Sequence, residues 1–371
     1  MKHTLRLSLL VVGIFTSMIA WSQMTLPPNG NNQKGEVTQY LGLVKVTIVY
    51  NSPDVAGREI WGKLVPYGLN NLSFGKSSVQ NPSPWRAGAN ENTTISFSHD
   101  VEVEGKAIKA GMYGLHMIPG QEDWVIIFSS NTGAWGSFSY MPTEEVVRVT
   151  VKAVACEFNE FLTYEFTDRL QNSATARLKW EKLAVPFKIV VPNGDNLYVL
   201  KLREEFTSTK TFFNWQNGVS AINFCANKKI NLEEALGWAQ QYIDRNIKYY
   251  PIYQAKGNVL AAMDKKAEAD AVMKEAINLP DATAGQIAGY GRMLIAQKRE
   301  KDAMPVFETA MKRFPANSTA LMGMARGWSA NGDSKKALKF AQEALKAETD
   351  AAGKTTIDGL IKKIEKGEPI N

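Results

Sequence analysis

A chain of 371 residues is long for one compact core and fits two domains. Its 44% hydrophobic and 22% charged residues exclude a disordered or collagen-like chain. Two cysteines exclude a disulfide-rich scaffold, and three histidines with a net charge of +6 leave little imidazole for a metal site or a catalytic base.

Lys2, His3 and Arg6 precede an apolar run from Leu7 to Ala20, followed by Trp21, Ser22 and Gln23. This order predicts a secretory signal peptide over residues 1–22, cleaved after Ser22. A spanning helix would need about 20 apolar residues, and this run is shorter and holds Thr16 and Ser17. No cysteine stands near the cleavage point to take a lipid, and no later stretch is apolar enough to span a bilayer. The expected location is therefore periplasmic or secreted, with no transmembrane segment in the mature chain. Cleavage would remove Lys2 and Arg6 and lower the charge to +4, divided as −2 over residues 23–200 and +6 over 201–371. The basic half interleaves its charges, as in Lys265-Lys266-Ala267-Glu268-Ala269-Asp270. Nucleic-acid binding needs a clustered patch with stacking aromatics, so no nucleic acid is expected as a partner.

Between residues 37 and 192 the apolar period is two. Strands are predicted at Val44–Tyr50, Thr93–Ser98, Val101–Glu104, Lys106–Ile108, Gly111–Ile118, Trp124–Ser129, Val146–Ala153, Phe161–Thr167, Ala174–Trp180 and Ala184–Val190. Turns at Glu104-Gly105, Pro119-Gly120 and Asn131-Thr132-Gly133 separate them. Short strands at this spacing predict an all-β sandwich over 37–192, jelly-roll-like or of another order. The stretch Pro192 to Phe206 reads as a connector to a helical half. Cys156 falls in a strand-like stretch and Cys225 in a helical one, so two buried free thiols are expected rather than a bridge.

Several motifs occur in order: Arg58-Glu59-Ile60-Trp61-Gly62, Leu64-Val65-Pro66-Tyr67-Gly68, Trp85-Arg86-Ala87-Gly88-Ala89-Asn90-Glu91 and Ala110-Gly111-Met112-Tyr113-Gly114-Leu115. Trp124-Val125-Ile126-Ile127-Phe128, Trp135-Gly136 and Tyr140 follow. This string resembles the DUF2911 family, exported proteins of Bacteroidota-type bacteria whose activity is not established. The resemblance implies a fold and a compartment, and no reaction. In that family the Pro-Tyr-Gly motif passes to Trp-Arg within a few residues. Here Leu69 to Pro84 intervenes, and it is expected to alter or cover any site near Arg86.

Aromatic faces beside an arginine fork and amides are what a small sugar or carboxylate pocket needs. The candidate ligand-binding residues are Arg58, Tyr67, Trp85, Arg86, Asn90, Glu91, Trp135, Tyr140 and Arg148, with Asn92 and Thr93 adjoining. The same residues would also serve as a structural corner, with aromatic plugs at the end of a sandwich. His99 is in phase with Ile95 and Phe97 and so faces the core, whereas His116 points away from the side of Leu115 and Met117. No His-x-His, Cys-x-x-Cys, His-Glu-x-x-His, Gly-x-Ser-x-Gly, Walker or dinucleotide-binding motif is present. No metal, cofactor or catalytic residue is therefore expected, and the chain leans away from enzymes.

The second half repeats every 34 residues. Ala235, Ala269, Ala303 and Ala337 share one register, as do Tyr242, Ala276, Ala310 and Ala344. Asn223, Gly257, Gly291 and Ala325 share another, followed three residues on by Ala226, Leu260, Leu294 and Trp328. Small residues at such spacing let antiparallel helices cross closely, and the pattern resembles tetratricopeptide repeats. An all-α solenoid over 207–371 is expected, its first unit degenerate at Asn223 and Tyr242, and its end capped by a helix around Ile357, Leu360, Ile361 and Ile364. First helices would line an inner groove, bringing Phe224, Gln254, Asn258, Arg292, Met322 and Arg326 onto it. Two readings follow. One is an exported binding or scaffold protein whose groove docks a protein or peptide. The other is a periplasmic enzyme or small-ligand binder acting on a carbohydrate or envelope component through Trp85-Arg86 and Asn90-Glu91.

Overall fold

The computed structural model describes residues 32–207 and 214–370, so the expected leader at 1–22 lies outside the described residues. The chain separates into two compact units, one ending at Pro192 and one beginning at Asn193.

The first unit holds β1 (Gln33–Leu41), β2 (Val44–Ser52), β3 (Thr94–Phe97), β4 (Val101–Val103), β5 (Lys106–Ile108), β6 (Gly111–Ile118), β7 (Asp123–Ser129), β8 (Glu145–Lys152), β9 (Val154–Leu170) and β10 (Ser173–Val190). They form a six-stranded sheet ordered β1-β2-β3-β6-β7-β8 and a four-stranded sheet ordered β5-β4-β10-β9, with every pair antiparallel. Most neighbours are consecutive in the chain, so the sandwich is built from hairpins rather than from jelly-roll crossovers. The sheets meet through aromatic side chains: Phe128 on β7 lies edge-on to Phe187 on β10 at 6.3 Å, and Tyr50 on β2 meets Tyr164 on β9 at 5.0 Å.

Two differences from the predicted strands have physical causes. Strand β1 was not expected, because Gln33, Lys34 and Glu36 give it no apolar alternation. It is an edge strand that pairs with β2 along its whole length across a turn in which Gly42 has φ 60°. The predicted strands Ala174–Trp180 and Ala184–Val190 are one strand, β10. Register shifts around Glu181, whose φ is 54°, slip the side-chain alternation midway.

In β6, Tyr113 to Met117 are buried consecutively. One face lies on the sandwich core. His116 on the other face is 2% exposed and meets Ser137 and Tyr140. His99 is not in the core; it lies half-buried beyond β3, beside Ser98.

The second unit holds α1 (Gly194–Thr207), α2 (Trp215–Lys228), α3 (Leu232–Asp244), α4 (Tyr250–Ala262), α5 (Lys266–Ala276), α6 (Ala284–Ala296), α7 (Glu300–Arg313), α8 (Ser318–Ala330), α9 (Ser334–Ala347) and α10 (Ala351–Glu365). The pairs α2/α3, α4/α5, α6/α7 and α8/α9 are the four repeats. Helix starts carry side-chain caps that satisfy otherwise orphaned N–H groups: a capping box at Thr283 and Gln286, and Asn214, Asn317, Asp333 and Asp350 elsewhere. The crossing alanines Ala235, Ala303, Ala310, Ala337 and Ala344 are fully buried. Phe307 fills the space beside Gly291, Gly323 and Gly327, where an added Cβ would overlap its ring. In the degenerate first repeat, Tyr242 replaces the small residue, and Gly218 on the facing helix leaves room for its ring. The stretch read as a connector is helix α1, which buries Val199 and stacks Phe206 on Trp238 at 4.4 Å. At the far end α10 buries Ile357, Ile361 and Ile364. Both cysteines are free thiols; Cys225 is buried in α2, whereas Cys156 on β9 is only half-buried.

Candidate functional site

In the β unit, the Leu69–Pro84 insertion is closed on itself by paired backbone hydrogen bonds between Asn70 and Ser83. It is fastened to the segment after β7 by Lys76 N–H to Phe138 O at 2.7 Å and by the Asn81 amide to Tyr140 O at 3.2 Å. Trp85 then joins the sheet by exchanging backbone bonds with Met117. The following loop turns sharply, with Ala87 at φ 53° and Asn90 at φ 53°. Side chains hold that loop: Tyr164 Oη and Thr93 Oγ1 both donate to Ala87 O, at 2.9 and 3.2 Å. Gly88 approaches so closely that a Cβ there would meet Thr93 Oγ1 at 2.6 Å.

These elements enclose a cleft of about 370 Å³, lined among others by Arg58, Asn70, Leu72, Ser83, Pro84, Trp85, Arg86, Asn90, Ser137 and Trp180. The insertion thus supplies one wall of the cleft instead of covering it. The floor belongs to a cluster of four tryptophans. Trp61 lies edge-on to Trp85, Trp124 and Trp180 at 5.9, 5.2 and 5.8 Å, and Trp85 stacks on Trp180 at 6.1 Å. The predicted plug and the predicted pocket wall are the same aromatic group.

The candidate residues separate into sets. Arg58, Trp85, Arg86 and Asn90 line the cleft. Arg58 is held by Asp54, through its side chain at 3.0 Å, and by Val55 O. Arg86 donates to Asn90 O at 2.7 Å and lies 4.9 Å over the Phe138 ring. Among the described residues Arg86 has no carboxylate partner, and burial lowers its pKa below the usual arginine value. Glu91 does not join it; its carboxylate accepts from the Asn51 amide. Tyr67 is 43% and Trp135 52% exposed, both outside the cleft wall.

Tyr140 and Arg148 meet at Glu145 instead. Tyr140 Oη donates to the Glu145 carboxylate, which Arg148 also binds at 2.7 Å. Burial works against the Glu145 charge, but the hydrogen bonds from Arg148 and Tyr140 hold its pKa below the ordinary carboxylate value. Nearby, His116 Nδ1 and Ser137 Oγ are 2.9 Å apart. Burial, and secondarily the charge of Arg86, push the His116 pKa down to about 4, so the imidazole is neutral at pH 7. Ser83, Ser137, Trp180 and His116 were not foreseen, since no local motif marks them; only Trp180 carried a signal, as a core aromatic. Among the described residues no cluster of three His, Cys, Asp or Glu is placed to hold a metal.

In the helical unit the expected groove residues occupy separate pockets. Gln254 and Asn258 line one of about 350 Å³ between α4, α5 and α6, beside Tyr290, Met293 and the Asp270–Arg299 ion pair. Hydrogen bonding to Asp270 raises the Arg299 pKa. Arg292, Met322 and Arg326 line another of about 270 Å³, walled by α6, α8 and α10. Arg326 donates to Ile370 O at 3.0 Å, and burial, with the nearby charge of Arg292, lowers its pKa. Phe224 packs beside Tyr198 on α1, in a third pocket, and not with the arginines.

Residues 32–189 match the family described as "Protein of unknown function (DUF2911)", and residues 294–356 match a tetratricopeptide repeat family. No curated protein matches the chain. Among solved structures, YrrB, described as a TPR protein with an unusual peptide-binding site, is similar at 16% identity and a TM-score of 0.28, over 40% of this chain and 77% of that one. MamA from Desulfovibrio magneticus RS-1 is similar at 16% identity and a TM-score of 0.27, over 40% of this chain and 94% of that one. The match to the DUF2911 family thus falls on the antiparallel sandwich, residues 32–189, and the match to tetratricopeptide repeats falls on the later helix pairs, residues 294–356.

Proposed function

We propose that the protein is an exported scaffold whose repeat array docks an extended, acidic segment of a partner protein against α6, α8 and α10. The pocket carrying Arg292 and Arg326 is the observation behind this reading, since three alternate helices, α6, α8 and α10, supply its walls. Arg292 is exposed and, among the described residues, is ion-paired to nothing. Among the described residues the one carboxylate in the wall, Glu348, is engaged by Ser318 Oγ at 2.7 Å and by the N–H groups of Thr349 and Asp350. Two cations over Met322, Ile357 and Leu360 suit a chain that alternates acidic and apolar side chains. The basic start and apolar run before Gln23 support export. No helix among the described residues is long and apolar enough to cross a membrane.

A fluorescein-labelled decamer of alternating Glu and Leu, titrated into the full chain, tests the docking. Arg292→Glu should weaken binding about tenfold or more, and raising the salt should weaken the parent interaction. Equal affinity in the variant would remove this pocket from the reading. Detection of the full-length precursor alone, in the cytoplasmic fraction, would remove export.

A further inference from the structure

The cleft in the β unit has no part in docking a partner on the repeats, yet its wall carries polar groups whose hydrogen bonds are unmade. Ser83 and Trp180 are each 1% exposed and both line it. Among the described residues Ser83 Oγ and Trp180 Nε1 have no hydrogen-bond partner. A buried hydroxyl or indole N–H left unpaired costs folding free energy, and of the seven such atoms among the described residues these two belong to the cleft wall. Beside them stands Arg86, whose guanidinium donates to Asn90 O and, among the described residues, has no carboxylate partner.

We infer that this cleft binds a small carboxylated sugar, of the uronate class. The charge balance selects the anion. Among the described residues no acidic side chain lines the cleft, and its two cations differ: Arg58 is neutralised by Asp54, whereas Arg86 has no carboxylate partner. One unmatched guanidinium fits one carboxylate, to which it donates a planar pair of hydrogen bonds. A phosphate dianion would bring a second charge that the wall does not meet. The neutral groups select the ring. Asn70, Ser83, Asn90 and Ser137 are spread around a wall whose flat part is Trp85 stacked on Trp180. The C–H face of a pyranose covers an indole while its hydroxyls reach the amides and serines; a fatty or aromatic acid would leave Ser83 Oγ without a partner. The geometry is set before binding. A Cβ at Gly136 would overlap the Arg86 guanidinium, so glycine there lets the fork lie between Gly136 and Phe138.

The test is calorimetric titration of the full chain with D-glucuronate, D-galacturonate and D-glucose, with tryptophan emission as a second readout. One uronate should bind at least about tenfold more tightly than glucose. Arg86→Gln should abolish that preference. Ser83→Ala should weaken uronate binding about fivefold, while the unliganded variant melts no lower than the parent, because the hydroxyl removed has no partner. The serine variant keeps the test decisive if Arg86→Gln perturbs its loop. Absence of binding by either uronate at about 10 mM, equal affinity for glucose, or affinity unchanged by Ser83→Ala would each overturn the assignment.

Discussion

The two units set the spacing between their packed elements with opposite kinds of side chain, although the helical unit also buries Tyr250 and Tyr253. The sandwich depends on bulk: Trp124, Trp180, Phe128 and Phe187 are fully buried, and each comes from a strand far in sequence from its neighbours. The repeat array depends on smallness: Ala235, Ala303, Ala310, Ala337 and Ala344 are fully buried, and a single ring, Phe307, fills the space left by Gly291, Gly323 and Gly327. A core of large, distant partners fails when a side chain is shortened. A core of close helix crossings fails when one is lengthened.

The largest effect expected from this contrast is Trp124→Ala, which should cost the sandwich about 3–5 kcal/mol by leaving a cavity beside the indoles of Trp61 and Trp85. Urea unfolding followed in the near-ultraviolet should shift, while the helical signal at 222 nm keeps its midpoint. A matching shift of the helical transition would break the comparison.

Second comes acid sensitivity specific to the sandwich. The His116 pKa lies near 4 in the folded unit against an ordinary 6.5, so the unfolded state binds the extra proton between those values. Stability should therefore be complete above pH 6.5 and fall as the pH drops toward 4, by about 3 kcal/mol from this group. His116→Asn should flatten that slope in urea titrations at pH 7 and 4.5. An unchanged slope would assign the sensitivity elsewhere.

The smallest and most discriminating effect lies in the array, where Gly291→Ala should cost about 1–3 kcal/mol by overpacking against Phe307. The same change at Gly359, which faces open space inside α10, should stabilise by about 0.5–1 kcal/mol. Thermal melts with the same sign at both positions would contradict a core set by close crossings.

These differences also explain what could be read from the sequence. A repeat leaves its register visible because Ala235, Ala269, Ala303 and Ala337 answer the same local steric demand four times. The compensation of Tyr242 by Gly218 was invisible, since it exchanges small for large across two helices. Strands with apolar alternation were legible, whereas polar β1 and the bulged β10 were not, because pairing and register are settled by partners distant in sequence. The cleft was legible at Trp85, Arg86 and Asn90, which share one motif. Ser83, Ser137 and Trp180 come from three separate segments, and only the folded chain brings them beside those residues.

The placement of the thiols has a practical consequence. Each unit carries one cysteine, Cys156 on β9 and Cys225 in α2, and neither is bridged. Burial pushes the Cys225 thiol up to about 11, and the half-buried Cys156 is raised less. A thiol reagent in native buffer should therefore modify Cys156 first and Cys225 only on opening of α2 against its neighbours. Modification of Cys225 thus times the opening of the first repeat in the intact chain, with Cys156 as an internal reference for the reagent.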